Sequence, residues 1–151
     1  AAAAPPGFSM PPQNDALADP IDYFGISVPF MQYLGLQPEV IDEDYSRTRL
    51  TLRPELTNSR GDMHGGTVMS VFDFTLSAAA RSHAPHTTGV MTIEMSTHFM
   101  DAVTGDVVIE ARCLRRGRSI AFCEGTIRRA DDTRVLAVAR ATFKLIARKT
   151  D

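Results

Sequence analysis

The only long helical pattern of the chain lies in residues 58–84. One apolar set recurs at i, i+4, i+8 and i+11 and consists of Val68, Phe72, Leu76 and Ala79. This spacing places the set on a single face of an α-helix. A second apolar patch lies on the other side of the same helix, and a helix that is apolar around most of its circumference is expected to be enclosed by other structure.

A glycine-rich turn precedes this helix. Gly65 and Gly66 open the helix, and Pro85 is expected to end it. The first amides of a helix have no intrahelical acceptor and lie at the positive end of its dipole. The pattern therefore indicates a site for an anion or an oxyanion, with tight backbone packing at the glycine pair as the alternative.

Alternating apolar and polar residues predict β-strands on both sides of the helix. The strand patterns cover one segment before it, within 36–56, and four after it: 90–100, 107–114, 119–129 and 134–146. In 90–100, strict alternation places Met91 on the face of Met95 and Thr92 on the opposite face. A short helix closed by Gly35 precedes the first strand. The order predicts an α+β fold, with an antiparallel sheet wrapped around one long central α-helix.

Asp73 interrupts the apolar pattern of the helix. No Lys or Arg lies three or four positions away from it. A carboxylate among apolar residues without a local partner is typical of active sites, although a solvated or distantly paired Asp gives the same pattern. Asp73 lies more than two turns from Gly65, too far for both to reach one carbonyl group. A site that uses both would need a second copy of the helix.

The motif Asn58-x2-Gly61-x2-His64-Gly65-Gly66, followed by Asp73, resembles the signature of hotdog-fold acyl-CoA thioesterases of the phenylacetic-acid-degradation (PaaI-like) type. The resemblance extends over residues 28–147 and implies a single hotdog domain. Residues 1–27 would then form an Ala/Pro-rich N-terminal extension, and 148–151 a C-terminal tail.

The resemblance also implies roles for five residues. Asp73 would act as general base on water or as nucleophile, and the Gly65 amide would polarise the thioester carbonyl. Asn58 would position the reacting groups, and His64 would orient the turn, unless it is purely structural. Thr92 aligns with a residue that helps to hold the water, but an ordinary strand threonine is the alternative.

An acyl-CoA substrate carries phosphates, which attract Arg and Lys. The candidates for phosphate contacts are Arg115, Arg116, Arg118, Ser119 and Lys144. A solvated hairpin tip is the alternative for each Arg. The candidates for the acyl pocket are Met69, Phe72 and Met91, which would otherwise be core residues. Gly66 is a further candidate for substrate binding.

Length, charge and composition limit the number of domains and the classes of ligand that we expect. With 151 residues the chain is long enough for one domain. A net charge of −2 does not suggest a nucleic-acid partner. Residues 112–151 nevertheless contain eleven Lys or Arg against four Asp or Glu, which suits a phosphate-bearing ligand.

The sequence contains little that indicates a disulfide, a metal site, a membrane span or a secretory signal. Cys113 and Cys123 are expected to be out of register in a tight hairpin and to stay reduced. His83 and His86 lack a third ligand at useful spacing, so we expect no metal and no cofactor. We expect no membrane span, and residues 1–20 lack the pattern of a secretory signal, so the predicted location is cytoplasmic.

Three functions fit the sequence. The preferred one is an acyl-CoA thioesterase that works as a homodimer or, by the resemblance, a homotetramer, with its active site at the subunit interface. The second is a non-catalytic acyl-CoA-binding or regulatory protein, which would not need Asp73. The third is a dehydratase or hydratase, which would need a His paired with a carboxylate across the site.

Overall fold

The computed structural model describes residues 19–148. Its elements are α1 (Pro29–Leu34), β1 (Gln37–Asp42), β2 (Tyr45–Leu50), a 3₁₀ turn (Pro54–Leu56), α2 (Gly65–Ala80), β3 (Thr88–Phe99), β4 (Val107–Arg116), β5 (Ile120–Arg129) and β6 (Val135–Ala147). The strands form one antiparallel sheet in the order β1-β2-β4-β5-β6-β3. Helix α2 lies against one face of this sheet, mostly on β4 and β5.

The apolar face of α2 is the centre of the core. Val68, Phe72 and Leu76 are at most 1% exposed. Gly125 on β5 lets the helix approach closely, because a Cβ atom there would lie 2.6 Å from Cδ1 of Leu76 and 2.9 Å from the carbonyl oxygen of Glu110. The predicted α+β fold, a sheet wrapped around one long helix, is confirmed.

Helix α2 ends at Ala80 rather than at Ala84. Arg81 leaves the helical conformation, and its buried guanidinium donates hydrogen bonds to the carbonyl oxygens of Tyr23, Phe24 and Pro85. Burial lowers the pKa of Arg81 to about 10, so the group remains cationic at neutral pH. These bonds fix the chain after the helix, and Pro85 alone does not set its end.

The segment expected to form one strand before α2 forms the hairpin β1–β2. The chain reverses at Glu43 and Asp44, and Asp44 adopts a φ of 59°, a left-handed conformation that Asp tolerates better than most residues. The sheet therefore has six strands instead of the predicted five. The short helix α1 is confirmed, and Gly35 closes it with a φ of 81°.

The edge strand β3 contains a bulge that the strict alternation missed. Thr92 lies opposite Phe143, but Glu94 lies opposite Thr142, so the register shifts between Thr92 and Glu94. Thr92 thereby joins Met95 on the face that points towards α2. The predicted placement of Thr92 on the face opposite Met95 is wrong, because the extra residue in the bulge inverts the alternation.

The two cysteines lie directly opposite each other on β4 and β5. Both are free and buried. The expectation that Cys113 and Cys123 are out of register is wrong, since the register shift between Cys113 and Arg115 accommodates one extra residue in the hairpin.

The packed domain begins before residue 28. Tyr23 is completely buried, its hydroxyl donates to the carbonyl oxygen of Leu36 at 2.8 Å, and its ring packs edge-on against Phe74. At least part of the predicted N-terminal extension therefore belongs to the core. Residues 1–18 of that extension, and 149–151 of the predicted tail, lie outside the described residues.

Candidate active site

Asp73 lies half-buried on the side of α2 that faces β3. Oγ1 of Thr92 donates a hydrogen bond to Oδ1 of Asp73 over 2.6 Å. Within residues 19–148, no other hydrogen bond or ion pair reaches this carboxylate. One carboxylate oxygen is thus held by Thr92, while Oδ2 is left for water or substrate.

The N-terminus of α2 presents one unpaired amide. His64 is the N-cap, and its Nδ1 accepts a hydrogen bond from the amide of Gly66 at 2.8 Å. Among the described hydrogen bonds, the Gly65 amide has no acceptor. A free N–H at the positive end of a helix can stabilise developing negative charge on a carbonyl oxygen.

Asn58 shapes the turn that leads into this helix. Its side-chain Oδ1 accepts hydrogen bonds from the amides of Arg60 and Asp62, at 2.9 and 3.2 Å. Gly61 closes the turn with a φ of 83°, which glycine adopts without strain. In this chain Asn58 therefore acts on the shape of the turn, close to Gly65.

A surface pocket of about 410 Å³ lies beside Gly65. Its lining comprises Asn58, Arg60, Asp62, Met63, Gly65, Val68, Phe99, Met100, Asp101, Ala102 and Val103. The ring of Phe99 lies 3.6 Å from where a Cβ atom of Gly65 would be. Asp73 does not line this pocket. Within one chain, the free Gly65 amide and the Asp73 carboxylate therefore lie at separate positions.

A larger concavity of about 690 Å³ opens on the sheet face away from α2. Charged side chains of three strands line it, among them Glu110, Arg112, Glu124 and Arg140. None of the predicted site residues lies there. Its size alone does not make it the active site, because neither the free Gly65 amide nor Asp73 reaches it.

The predicted acyl-pocket residues are not brought together. Phe72 is fully buried in the core, whereas Met69 is 39% exposed on α2. Met91 lies opposite Lys144 in the β3–β6 ladder, and the side chain of Met91 points to the face opposite that of its neighbour Thr92. Gly66, the further candidate for substrate binding, lies at the helix start, where its amide donates to Nδ1 of His64.

The basic hairpin between β4 and β5 contains one arginine that is held by contacts within the fold and two that are exposed to solvent. Arg116 is 15% exposed at its side chain and pairs with Asp44 at 2.8 Å, and it also donates to the carbonyl oxygens of Ala79 and Ala80. These contacts cap α2 and disfavour a phosphate role for Arg116. Arg115 and Arg118 are exposed at the tip, as is Ser119, whose carbonyl oxygen accepts from the amide of Leu145.

Phe99 and Met100 are site residues that the sequence reasoning missed. Both line the pocket beside Gly65, and they are 53% and 55% exposed. The available signal was an apolar pair at the end of a strand, followed by the segment 101–106, which has an Asp at each end. Large exposed apolar side chains beside a polar rim mark a binding surface.

Residues 19–148 contain no group of three or more His, Cys, Asp or Glu side chains arranged to hold a metal ion. In the same range no helix is long and apolar enough to cross a membrane.

Comparison with known proteins decides the family. The model of the thioesterase superfamily matches residues 60–136, just over half of the chain. The chain belongs to the thioesterase superfamily. This membership confirms the PaaI-like hotdog resemblance and supports hydrolysis of thioesters in general.

Relatives and solved structures agree with this membership. Rv1847 of Mycobacterium tuberculosis, a provisionally assigned esterase, is 33% identical to this chain over 134 residues. The aligned region covers 85% of this chain and 91% of Rv1847. The conserved protein PA5202 of Pseudomonas aeruginosa superposes with a TM-score of 0.74 at 29% identity, over 79% of this chain and 94% of the other. The PaaI protein of E. coli, from the phenylacetic acid degradation operon, superposes with a TM-score of 0.72, over 79% of this chain and 85% of the PaaI chain. At 16% identity the last comparison shows the fold alone.

Proposed function

We propose that this protein is an acyl-CoA thioesterase, which hydrolyses a thioester to a free carboxylic acid and coenzyme A. The observation that carries the proposal is the half-buried Asp73 carboxylate, oriented by the Thr92 hydroxyl at 2.6 Å. A structural Asp would be expected to have a cationic partner or a backbone donor, and Asp73 has neither among residues 19–148. A carboxylate with one free oxygen is suited to accept a proton from water.

The chemistry requires only groups that this chain contains. Asp73 removes a proton from a water molecule that attacks the thioester carbonyl carbon, or it attacks that carbon itself and is then released by water. Negative charge develops on the carbonyl oxygen, and the free Gly65 N–H stabilises it. The C–S bond then breaks, and a thiolate is a sufficiently good leaving group to depart without a strong general acid.

A complete site requires two copies of the chain. Strand β3 is a twelve-residue edge strand, with Met91 and Ile93 57% and 56% exposed. Long exposed apolar edges favour pairing with another strand. Antiparallel pairing of β3 with the β3 of a second copy gives a two-fold symmetric dimer, in which Asp73 of one subunit approaches Gly65 of the other. Association of two such dimers would give the tetramer that the resemblance implies.

The coenzyme A moiety is expected to bind along the exposed basic hairpin. Arg115 and Arg118 are free to contact phosphates, while Arg116 is held by Asp44. The acyl group would lie near the Gly65 amide, where the exposed side chains of Phe99 and Met100 provide apolar surface. This arrangement favours an apolar acyl chain or ring over a charged one.

A hydrolysis panel tests the proposal. The purified protein is incubated with aryl, short-chain and medium-chain acyl-CoAs, with thiol release followed by a colorimetric reagent and the free acid identified by mass spectrometry. Oxygen esters of the same acids serve as controls for general esterase activity. The proposal predicts release of both products, with thioesters strongly preferred over oxygen esters. Tight binding of acyl-CoAs without turnover would favour the non-catalytic binding protein instead.

A further inference from the structure

The strongest unassigned feature is the cysteine pair of the β4–β5 ladder. Cys113 and Cys123 are direct partners in the register. The amide of Cys113 donates to the carbonyl oxygen of Asp44 at 2.9 Å, on the side away from β5. Towards β5 the two cysteines therefore form a non-hydrogen-bonded pair, for which the Cα atoms lie about 4.5 Å apart. This spacing falls within the range that a disulfide spans.

The surroundings differentiate the two thiols. Hydrogen bonding with Cys123 and the nearby charge of Arg116 lower the pKa of Cys113, whereas the same hydrogen bond and burial raise the pKa of Cys123. Cys113 is also the more accessible, at 9% exposure against 2% for Cys123. A thiol with more thiolate character beside a second thiol is the arrangement found at oxidation-sensitive sites.

We propose that Cys113 and Cys123 form a reversible disulfide within one chain when the protein meets a hydroperoxide. The Cys113 thiolate attacks the terminal peroxide oxygen, the O–O bond breaks, and Cys113 becomes a sulfenic acid. The leaving alkoxide, or hydroxide in the case of hydrogen peroxide, takes up a proton and departs as an alcohol or as water. The Cys123 sulfur then displaces this hydroxyl group, forming the S–S bond and releasing water. In total, two thiols and one hydrogen peroxide give one disulfide and two waters, and a dithiol reductant reverses the change.

The disulfide would join two neighbouring strands beneath the C-terminal end of α2. Arg116, three residues after Cys113, holds the carbonyl oxygens of Ala79 and Ala80 at that end. The cross-link would therefore restrain this part of the unfolded chain and raise the denaturant concentration at the unfolding midpoint. The proposal is independent of thioester hydrolysis, since neither Asp73 nor Gly65 contributes to it.

Peptide mapping tests the proposal directly. The folded wild-type chain is treated with hydrogen peroxide, alkylated under denaturing conditions and digested with trypsin without reductant. We expect the peptide 113–115 linked to the peptide 119–128, and loss of this product after treatment with dithiothreitol. Non-reducing electrophoresis should show a monomeric chain, because the bond lies within one subunit.

Variants provide the control. In the wild type, peroxide should raise the urea midpoint of unfolding, and Cys113→Ala and Cys123→Ala should each show no such shift relative to their own untreated samples. The proposal is overturned if both thiols remain alkylatable after peroxide treatment, if each oxidises separately to sulfinic acid, or if the linked peptides arise only from cross-linked dimers. The wild-type map decides even if a variant fails to fold.

Discussion

Oγ1 of Thr92 lies 2.6 Å from Oδ1 of Asp73, and this hydrogen bond ties the exposed edge strand β3 to the margin of the central helix. The bulge between Thr92 and Glu94 turns the Thr92 hydroxyl towards the helix. The contact fixes the direction of the carboxylate and leaves its second oxygen open. We propose that Thr92 positions the carboxylate and takes no step in the reaction itself.

The Thr92 contact can be tested with two substitutions of similar size. Thr92→Val removes the hydroxyl and should lower kcat by about tenfold, the effect of one hydrogen bond of about 1.4 kcal/mol, with KM little changed. Thr92→Ser keeps the hydroxyl and should retain most of the activity. Steady-state kinetics on the best acyl-CoA provides the measurement. A Thr92→Val enzyme with unchanged kcat would show that the bond has no catalytic importance.

The Gly65 amide can be removed without altering a hydrogen bond of the fold. Gly65 is the first residue of α2, where proline is well tolerated, and its N–H has no acceptor among the described residues. Gly65→Pro should lower kcat by about 10²- to 10³-fold, as expected for loss of one oxyanion donor. Gly65→Ala keeps the N–H and places its Cβ at an ordinary 3.6 Å from Phe99, so it should stay active. Equal activity of the two variants would contradict the oxyanion role.

The shared site can be tested by mixing two inactive variants. Asp73→Asn and Gly65→Pro chains, co-expressed with different tags, should form hybrid dimers with one intact site and one doubly altered site. An equal mixture should recover about a quarter of the wild-type activity, because half of the dimers are hybrids and each has one of two sites. Doubly tagged hybrids that show no activity would mean that Gly65 and Asp73 do not cooperate across subunits.

Arg115 and Arg118 are predicted to bind the phosphates of coenzyme A. Replacing both with Ala should raise KM for acyl-CoA more than it lowers kcat, because contacts to a remote part of the substrate persist in ground and transition states. Arg116→Ala serves as the contrasting variant. It removes the pair with Asp44 and the bonds to the end of α2, so it should lower the thermal unfolding midpoint. An unchanged KM in the Arg115/Arg118 variant would place the phosphates elsewhere.

The sequence predicted those parts of the fold that depend on repeating patterns. The apolar face of Val68, Phe72 and Leu76 and the alternation in β4, β5 and β6 were sufficient for the wrapped helix. Gly35 closed α1 as expected, because only a residue that accepts a positive φ fits that end. The fold class followed from the order of the elements that these patterns predict.

Local irregularities were not predictable in the same way. The bulge at Thr92 and the register of Cys113 with Cys123 depend on how two strands pair, which one strand's alternation does not encode. The contacts of Arg116 with Asp44 and α2 join segments far apart in sequence. From the sequence alone, an Arg of this hairpin that is exposed to solvent could not be distinguished from one that is held by ion pairs and hydrogen bonds, as Arg116 is.

We propose that Asp73 performs the chemistry, and the substitution Asp73→Asn is the decisive test. The substitution is close to isosteric, keeps an oxygen for the Thr92 hydroxyl and removes the charge and basicity of the group. We predict a fall in kcat of about 10²- to 10⁴-fold for a general base, and more for a nucleophile, with the unfolding midpoint and acyl-CoA affinity nearly unchanged. A correctly folded Asp73→Asn protein with near-wild-type kcat on the best acyl-CoA would exclude Asp73 as the catalytic group.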